Sequence, residues 1–138
     1  TATGDGGALG GRQREAAAAL WEACGLTRPW NDPRADFDRA ASADNAAVLG
    51  FCEGPALLGT VMVGEDGHRG WVYYLAVAPA ARGAGLGAQL MAAAEAWLQE
   101  RGLPKLNLMV RTENKAVIAF YTAQGYALSE VTVLQKSL

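Results

Sequence analysis

The residues best suited to do chemistry lie in one run, Ala78-Pro79-Ala80-Ala81-Arg82-Gly83-Ala84-Gly85-Leu86-Gly87, between an aromatic apolar strand and a long helical pattern. Glycines let several backbone N–H groups converge on one point, and a helix beginning there adds partial positive charge, so the run suits a pyrophosphate. Each dipole interaction contributes only about 0.3–2 kcal/mol, so binding would draw on several N–H groups together with Arg82. A glycine-rich turn that merely permits tight strand–helix packing explains the same residues. Gly83-Ala84-Gly85-Leu86-Gly87-Ala88 also satisfies the dinucleotide pattern G-x-G-x-x-G/A, which would imply NAD or FAD. Against that pattern, the loop is separated from Val77 by Ala78 to Arg82, and no acid ends the next strand.

The rest of the composition removes other chemistries. Cys24, Cys52 and a single histidine, His68, are too few soft ligands for an ordinary zinc site, and two cysteines make no disulfide framework. Ser42, Ser129 and Ser137 lie in no G-x-S-x-G elbow. A net charge of -2 lacks the basic field of a nucleic-acid binder. No apolar run approaches the roughly 18 residues of a membrane span, and Thr1 to Gly11 show no signal pattern, so a cytoplasmic protein is expected.

These residues need elements to position them. At 138 residues, 51% hydrophobic, the chain has material for one core. The glycine-rich segment 1–11 is expected to be loose, with a single domain over 12–138. Arg12 to Cys24 reads as a helix capped by Gly25, and Arg34 to Ala43 as a second after a turn with two prolines. Ala46–Cys52 and Ala56–Val63 read as a hairpin around Glu53-Gly54-Pro55, and Trp71–Val77 as a third strand. Leu86, Leu90, Met91, Ala94, Trp97 and Leu98 recur at helical spacing before Gly102. Lys105–Val110 is an expected strand, Asn114–Ala123 a helix, and Tyr126–Gln135 an edge strand in which Val131 and Val133 alternate with polar neighbours. The order predicts an α/β (α+β) class, with a mixed twisted sheet flanked by about four helices. The exposed C-terminal edge makes a homodimer plausible.

Leu75-Ala76-Val77 with Pro79, then Arg82-Gly83-Ala84-Gly85-Leu86-Gly87, resembles the Q/R-x-x-G-x-G/A signature of the GNAT N-acetyltransferases. Asn114, Tyr121 and Gly125-Tyr126 resemble that family's closing block, with Val117 where an alanine is usual. Leu20-Trp21-Glu22, Arg28 to Pro33, Gly59 to Met62 and Asp66 to Gly70 are similar to the YpeA-type bacterial branch. The resemblance covers residues 18–138 and implies the GNAT fold, here with its first strand weak or missing. It also implies an enzyme that moves acetyl from acetyl-CoA to a primary amine, with no metal. A non-catalytic acyl-CoA-binding module stands as the alternative.

Under the resemblance, Leu75, Ala76 and Val77 pair with the pantetheine arm, and the Val77 N–H polarises the thioester carbonyl. Arg82, Gly83, Ala84, Gly85, Leu86, Gly87 and Ala88 hold the pyrophosphate. Tyr121 gives a proton to the CoA sulfur, a role its reference pKa near 10 allows. Read without the resemblance, Tyr121 is a core aromatic beside Phe120, and Asn114 is equally a cofactor contact or an N-cap. Met109 stands where RimI-type enzymes carry a glutamate, so their substrate and base are not carried over. His68 could deprotonate an ammonium but sits in an Asp-Gly turn, and water can relay the proton instead. Glu53, Asp32, Asp66 and Glu113 could attract a cationic amine or serve as surface charge. Trp30 could wall the acceptor pocket or pack between the first two helices.

Overall fold

The computed structural model describes residues 6–138. It forms two compact units, the first running through Leu108 and the second from Met109 to Leu138.

In the first unit, α1 (Arg14–Ala23) follows one 3₁₀ turn and buries Ala17, Ala18, Leu20 and Trp21. Its end is a Schellman motif, in which Gly25 at φ +70° donates to Glu22 and Leu26 donates to Trp21. Helix α2 (Pro33–Ala41) starts with proline at its first turn and with the Asp32 carboxylate accepting from the Arg34 N–H at 3.0 Å. Exposed ion pairs from Arg14 to Asp38 and from Arg34 to Glu15 link the two helices, each worth little on its own.

Strands β1 (Ala46–Glu53), β2 (Ala56–Glu65), β3 (Gly70–Val77) and β4 (Leu106–Asn107) form one sheet in the order β1-β2-β3-β4. The first two pairings are antiparallel and the third is parallel, with α3 (Leu86–Glu100) on the crossover between β3 and β4. Side chains alternate across the sheet. Thr60 meets Trp21 of α1, whereas the neighbouring Gly59 backs onto Leu90 and Leu86 of α3, where a Cβ would lie 2.9 Å from Leu90. One core layer therefore gathers Trp21, Phe37, Val48 and Ala76 under α1 and α2. Leu90, Met91, Ala94 and Leu98 form the apolar stripe of α3.

The weak first strand expected before α1 amounts to a single bridge. Ala8 pairs with Leu49, and the Leu9 N–H donates to the Val48 carbonyl at 2.7 Å. Of the segment expected to be loose, residues 1–5 lie outside the described ones.

Two expected strands need correction. The one proposed for Lys105–Val110 reduces to Leu106–Asn107, paired only with Gly70 and Trp71. The one proposed for Tyr126–Gln135 is absent, and Val131 and Val133 stand exposed. Alternation marks a chain that can be a half-buried strand, but a strand also needs a hydrogen-bonded neighbour, which this segment lacks among the described residues.

The second unit holds α4 (Lys115–Ala123), whose N-cap Asn114 accepts from the Val117 N–H at 3.4 Å. Gly125 and Tyr126 close its C-terminus by donating to Thr122 and Tyr121. Among the described residues no helix is long and apolar enough to cross a membrane.

Candidate functional site

The end of β3 is built to offer main-chain groups. Gly59 and Val77 face each other across β2 and β3, and the Ala78 N–H donates to the Leu58 carbonyl just beyond them at 2.8 Å. That bond makes Gly59–Val77 a non-hydrogen-bonded pair, so the N–H and C=O of Val77 both point away from β2. On that outer side β4 pairs only with Gly70 and Trp71, leaving Val72 to Val77 without a strand neighbour among the described residues. The Val77 carbonyl is engaged by side chains, accepting from Arg82 Nε at 3.2 Å and from Cys24 Sγ at 3.5 Å. Arg82 Nη2 also donates to Cys24 Sγ at 3.4 Å, so the expected anion-binding arginine lies folded against the strand it follows.

Next comes the glycine loop. After a 3₁₀ turn over Pro79–Ala81, Arg82 is extended, Gly83 has φ +88° and Gly85 has φ +77°. Gly85 is the N-cap of α3 and provides no side-chain cap. The first intrahelical bond beyond it runs from the Gln89 N–H to the Gly85 carbonyl at 3.1 Å, so the N–H groups of Leu86, Gly87 and Ala88 lie in the uncapped turn. Leu86 is buried and fixes that turn against the sheet. Backbone donors and the positive end of the helix dipole coincide here, a geometry suited to an anion. A Cβ at Gly85 would meet nothing within 4 Å, so its requirement is conformational. Gly85→Ala is expected to cost about 1–2 kcal/mol from the left-handed backbone alone, seen as a fall in Tm of several degrees.

Three residues before Val77, the strand carries a kink. Tyr74 has φ +53°, the one positive value outside glycine among the described residues, and the register of β2 against β3 shifts between Thr60 and Met62. Such backbone strain, about 1–3 kcal/mol, persists only where surroundings hold it. Here Trp21 Nε1 donates to Thr60 Oγ1 at 2.8 Å, and Thr60 Oγ1 donates to the Tyr74 carbonyl at 3.0 Å. The Tyr74 ring stacks on Trp21 with centroids 3.9 Å apart, and its hydroxyl donates to Asp36 Oδ2 at 2.7 Å. Burial, then the bond to the Asp36 carboxylate, pushes the Tyr74 phenol well above its ordinary range. Beside this pair opens a cavity of about 570 Å³ under α2.

In the second unit, Tyr121 is buried, and its ring meets Phe120 and Tyr126 edge-on at 5.1 and 5.7 Å. Burial raises its phenol above the usual value, keeping it a proton donor at neutral pH. Asn114 acts as N-cap of the same helix.

The other polar residues singled out in the sequence do not converge. Asp32 caps α2, and Asp66 accepts from the N–H groups of Arg69 and His68, which lower its pKa. His68 is an exposed turn residue and Glu113 is exposed beside α4. Trp30 is 73% exposed, which rules out packing between α1 and α2. Sequence alone assigns Asp36, Tyr74, Thr60 and Cys24 no role at this site. Only the Tyr73-Tyr74 pair carried a signal, and alternation could not say which ring faces α1 across a kinked register.

Comparison with known proteins bears on this geometry. The profile described as Acetyltransferase (GNAT) family matches residues 14–126. An acetyltransferase of Yersinia enterocolitica is 45% identical over 119 residues, covering 86% of this chain and 84% of the relative. One from Pectobacterium atrosepticum is 44% identical over 124 residues, covering 90% and 88%. Among solved structures, AAC(6')-Iy in complex with a bisubstrate analog of CoA and acetylneamine superposes with TM-score 0.81 at 17% identity, over 96% of each chain. A putative acetyltransferase from Agrobacterium tumefaciens superposes with TM-score 0.80 at 15% identity, over 99% of each chain. At such identities these structures speak for the shared fold.

Proposed function

We propose that this chain, which belongs to the acetyltransferase (GNAT) family, moves the acetyl group of acetyl-CoA to a primary amine by direct attack within a ternary complex. The observation that supports this reading is the unpaired outer edge of β3 at Val77, set beside the uncapped N-terminus of α3. An amide-bearing pantetheine arm can add to Leu75–Val77 as an extra strand would. The N–H groups from Gly83 to Ala88, with Arg82 swung off the Val77 carbonyl, receive the pyrophosphate.

In this reading the Val77 N–H donates to the thioester oxygen as negative charge builds there. The amine nitrogen forms a bond to the carbonyl carbon, the carbon–sulfur bond breaks, and Tyr121 gives its proton to the leaving thiolate. The proton lost by the amine passes through water to solvent. Asn114 orders the start of the helix that carries Tyr121.

Calorimetric titration with acetyl-CoA, run beside NADH, tests the reading. Saturable acetyl-CoA binding of about micromolar strength is expected, with no NADH binding. Binding of NADH without acetyl-CoA would assign the glycine loop to a dinucleotide. Acetyl-CoA binding without CoA release across a broad amine panel would leave a binding module.

A further inference from the structure

The cavity under α2 is lined on β3 by Tyr73 and Tyr74 and stops short of Val77. Tyr74 lines it and stands three residues before Val77, about 10 Å along the strand. A molecule seated in the cavity therefore reaches Val77 only with an amine carried on a chain of several bonds. The volume of about 570 Å³ is that of a small-molecule site.

The polar groups define what fits. Asp36 and Arg39, one turn apart on α2, are the charged residues lining the cavity, so its formal charge is zero. Asp36 is held on both sides, with Oδ2 accepting from the Tyr74 hydroxyl at 2.7 Å and Oδ1 from Arg39 Nη1 at 3.2 Å. Its side chain is 24% exposed, whereas that of Arg39 is 76% exposed and can swing without repacking. A polycation would meet one carboxylate already neutralised by an arginine. A ligand carrying both an ammonium and a carboxylate can replace each partner in turn, its ammonium on Asp36 and its carboxylate on Arg39.

We infer that this cavity binds the non-reacting head of a small diamino acid, an α-ammonium and α-carboxylate on Asp36 and Arg39, while the side-chain amine extends to Val77. This rests on the acetyl-transfer reading above and specifies its acceptor. Neither residue touches the reacting atoms, so both are specificity-determining positions.

The test is an acceptor panel at saturating acetyl-CoA, comprising lysine, ornithine, lysine methyl ester, cadaverine, spermidine and a lysine-containing peptide. A kcat/KM for lysine or ornithine at least about tenfold above cadaverine and the ester is expected. Asp36→Asn, which still accepts from Tyr74, should raise the KM for the diamino acid about tenfold or more with little change in kcat. Arg39→Gln should abolish the preference for the free acid over its ester. Both variants should keep the Tm and the acetyl-CoA affinity of the parent chain. Spermidine or the peptide serving as well as the diamino acids, or Asp36→Asn leaving KM unmoved while acetyl-CoA still binds, would overturn the inference and leave the acetyl-transfer reading standing. Failure of the parent chain to bind acetyl-CoA would overturn both.

Discussion

Tyr121→Phe is expected to lower kcat for acetyl transfer by about 10²–10⁴-fold, the usual contribution of a positioned general acid. The affinity for acetyl-CoA should change far less, because the ring and its edge contacts with Phe120 and Tyr126 remain. Burial raises the phenol above its ordinary value near 10, so the protonated form predominates at every pH below that point. As an acid it is therefore fully loaded across the working range, and the parent kcat should show no alkaline fall from Tyr121 below about pH 10. Any rise of rate with pH below that reports the acceptor amine losing its proton. Steady-state kinetics from pH 6 to 10 on both chains checks this, and an unchanged kcat in the variant would place the acid elsewhere.

The second large effect is on stability. Trp21 is fully buried, stacks on Tyr74, tilts against Phe37 at 6.2 Å and donates to Thr60. Trp21→Ala should cost about 3–5 kcal/mol, a large share of the 5–15 kcal/mol that holds an ordinary domain together. The loss combines an unfilled cavity with a buried Thr60 hydroxyl deprived of its donor. Trp21→Phe keeps the stack and loses the bond, so about 1–2 kcal/mol is expected. Urea unfolding with the m-value compared across the three chains measures both. A cost below about 1 kcal/mol for the alanine would mean that Tyr74 holds its positive φ without the indole.

Most of what positions the site could be read from residue order. Gly25 and Gly102 mark helix ends because their left-handed backbone admits few alternatives, and the apolar spacing from Leu86 to Leu98 permits only a helix with one buried face. The glycine loop was legible for the same local reason. What escaped depends on pairing between distant segments. The kink at Tyr74 arises from the register of β2 against β3, and Asp36 gains its meaning only when α2 places it against that tyrosine. On its own helix Asp36 looks like ordinary first-turn charge, good for the dipole and for solvation. The missing strand at Val131 and Val133 is the converse case, in which a sound local pattern finds no neighbour.

The open border of β3 also governs how freely this chain can drift. What Val77 exposes on that border is amide backbone, the same in any residue except proline, whereas Ala76 is buried in the core beside Trp21. Apolar replacements at Val77 that keep the strand leave its hydrogen-bonding capacity intact. Intolerance should instead fall on Thr60 and Trp21, which present nothing to solvent yet hold the tyrosine that sets the angle of the border. A saturation scan of this region would then trace the scaffold behind the edge, Ala76 included, and leave Val77 nearly silent.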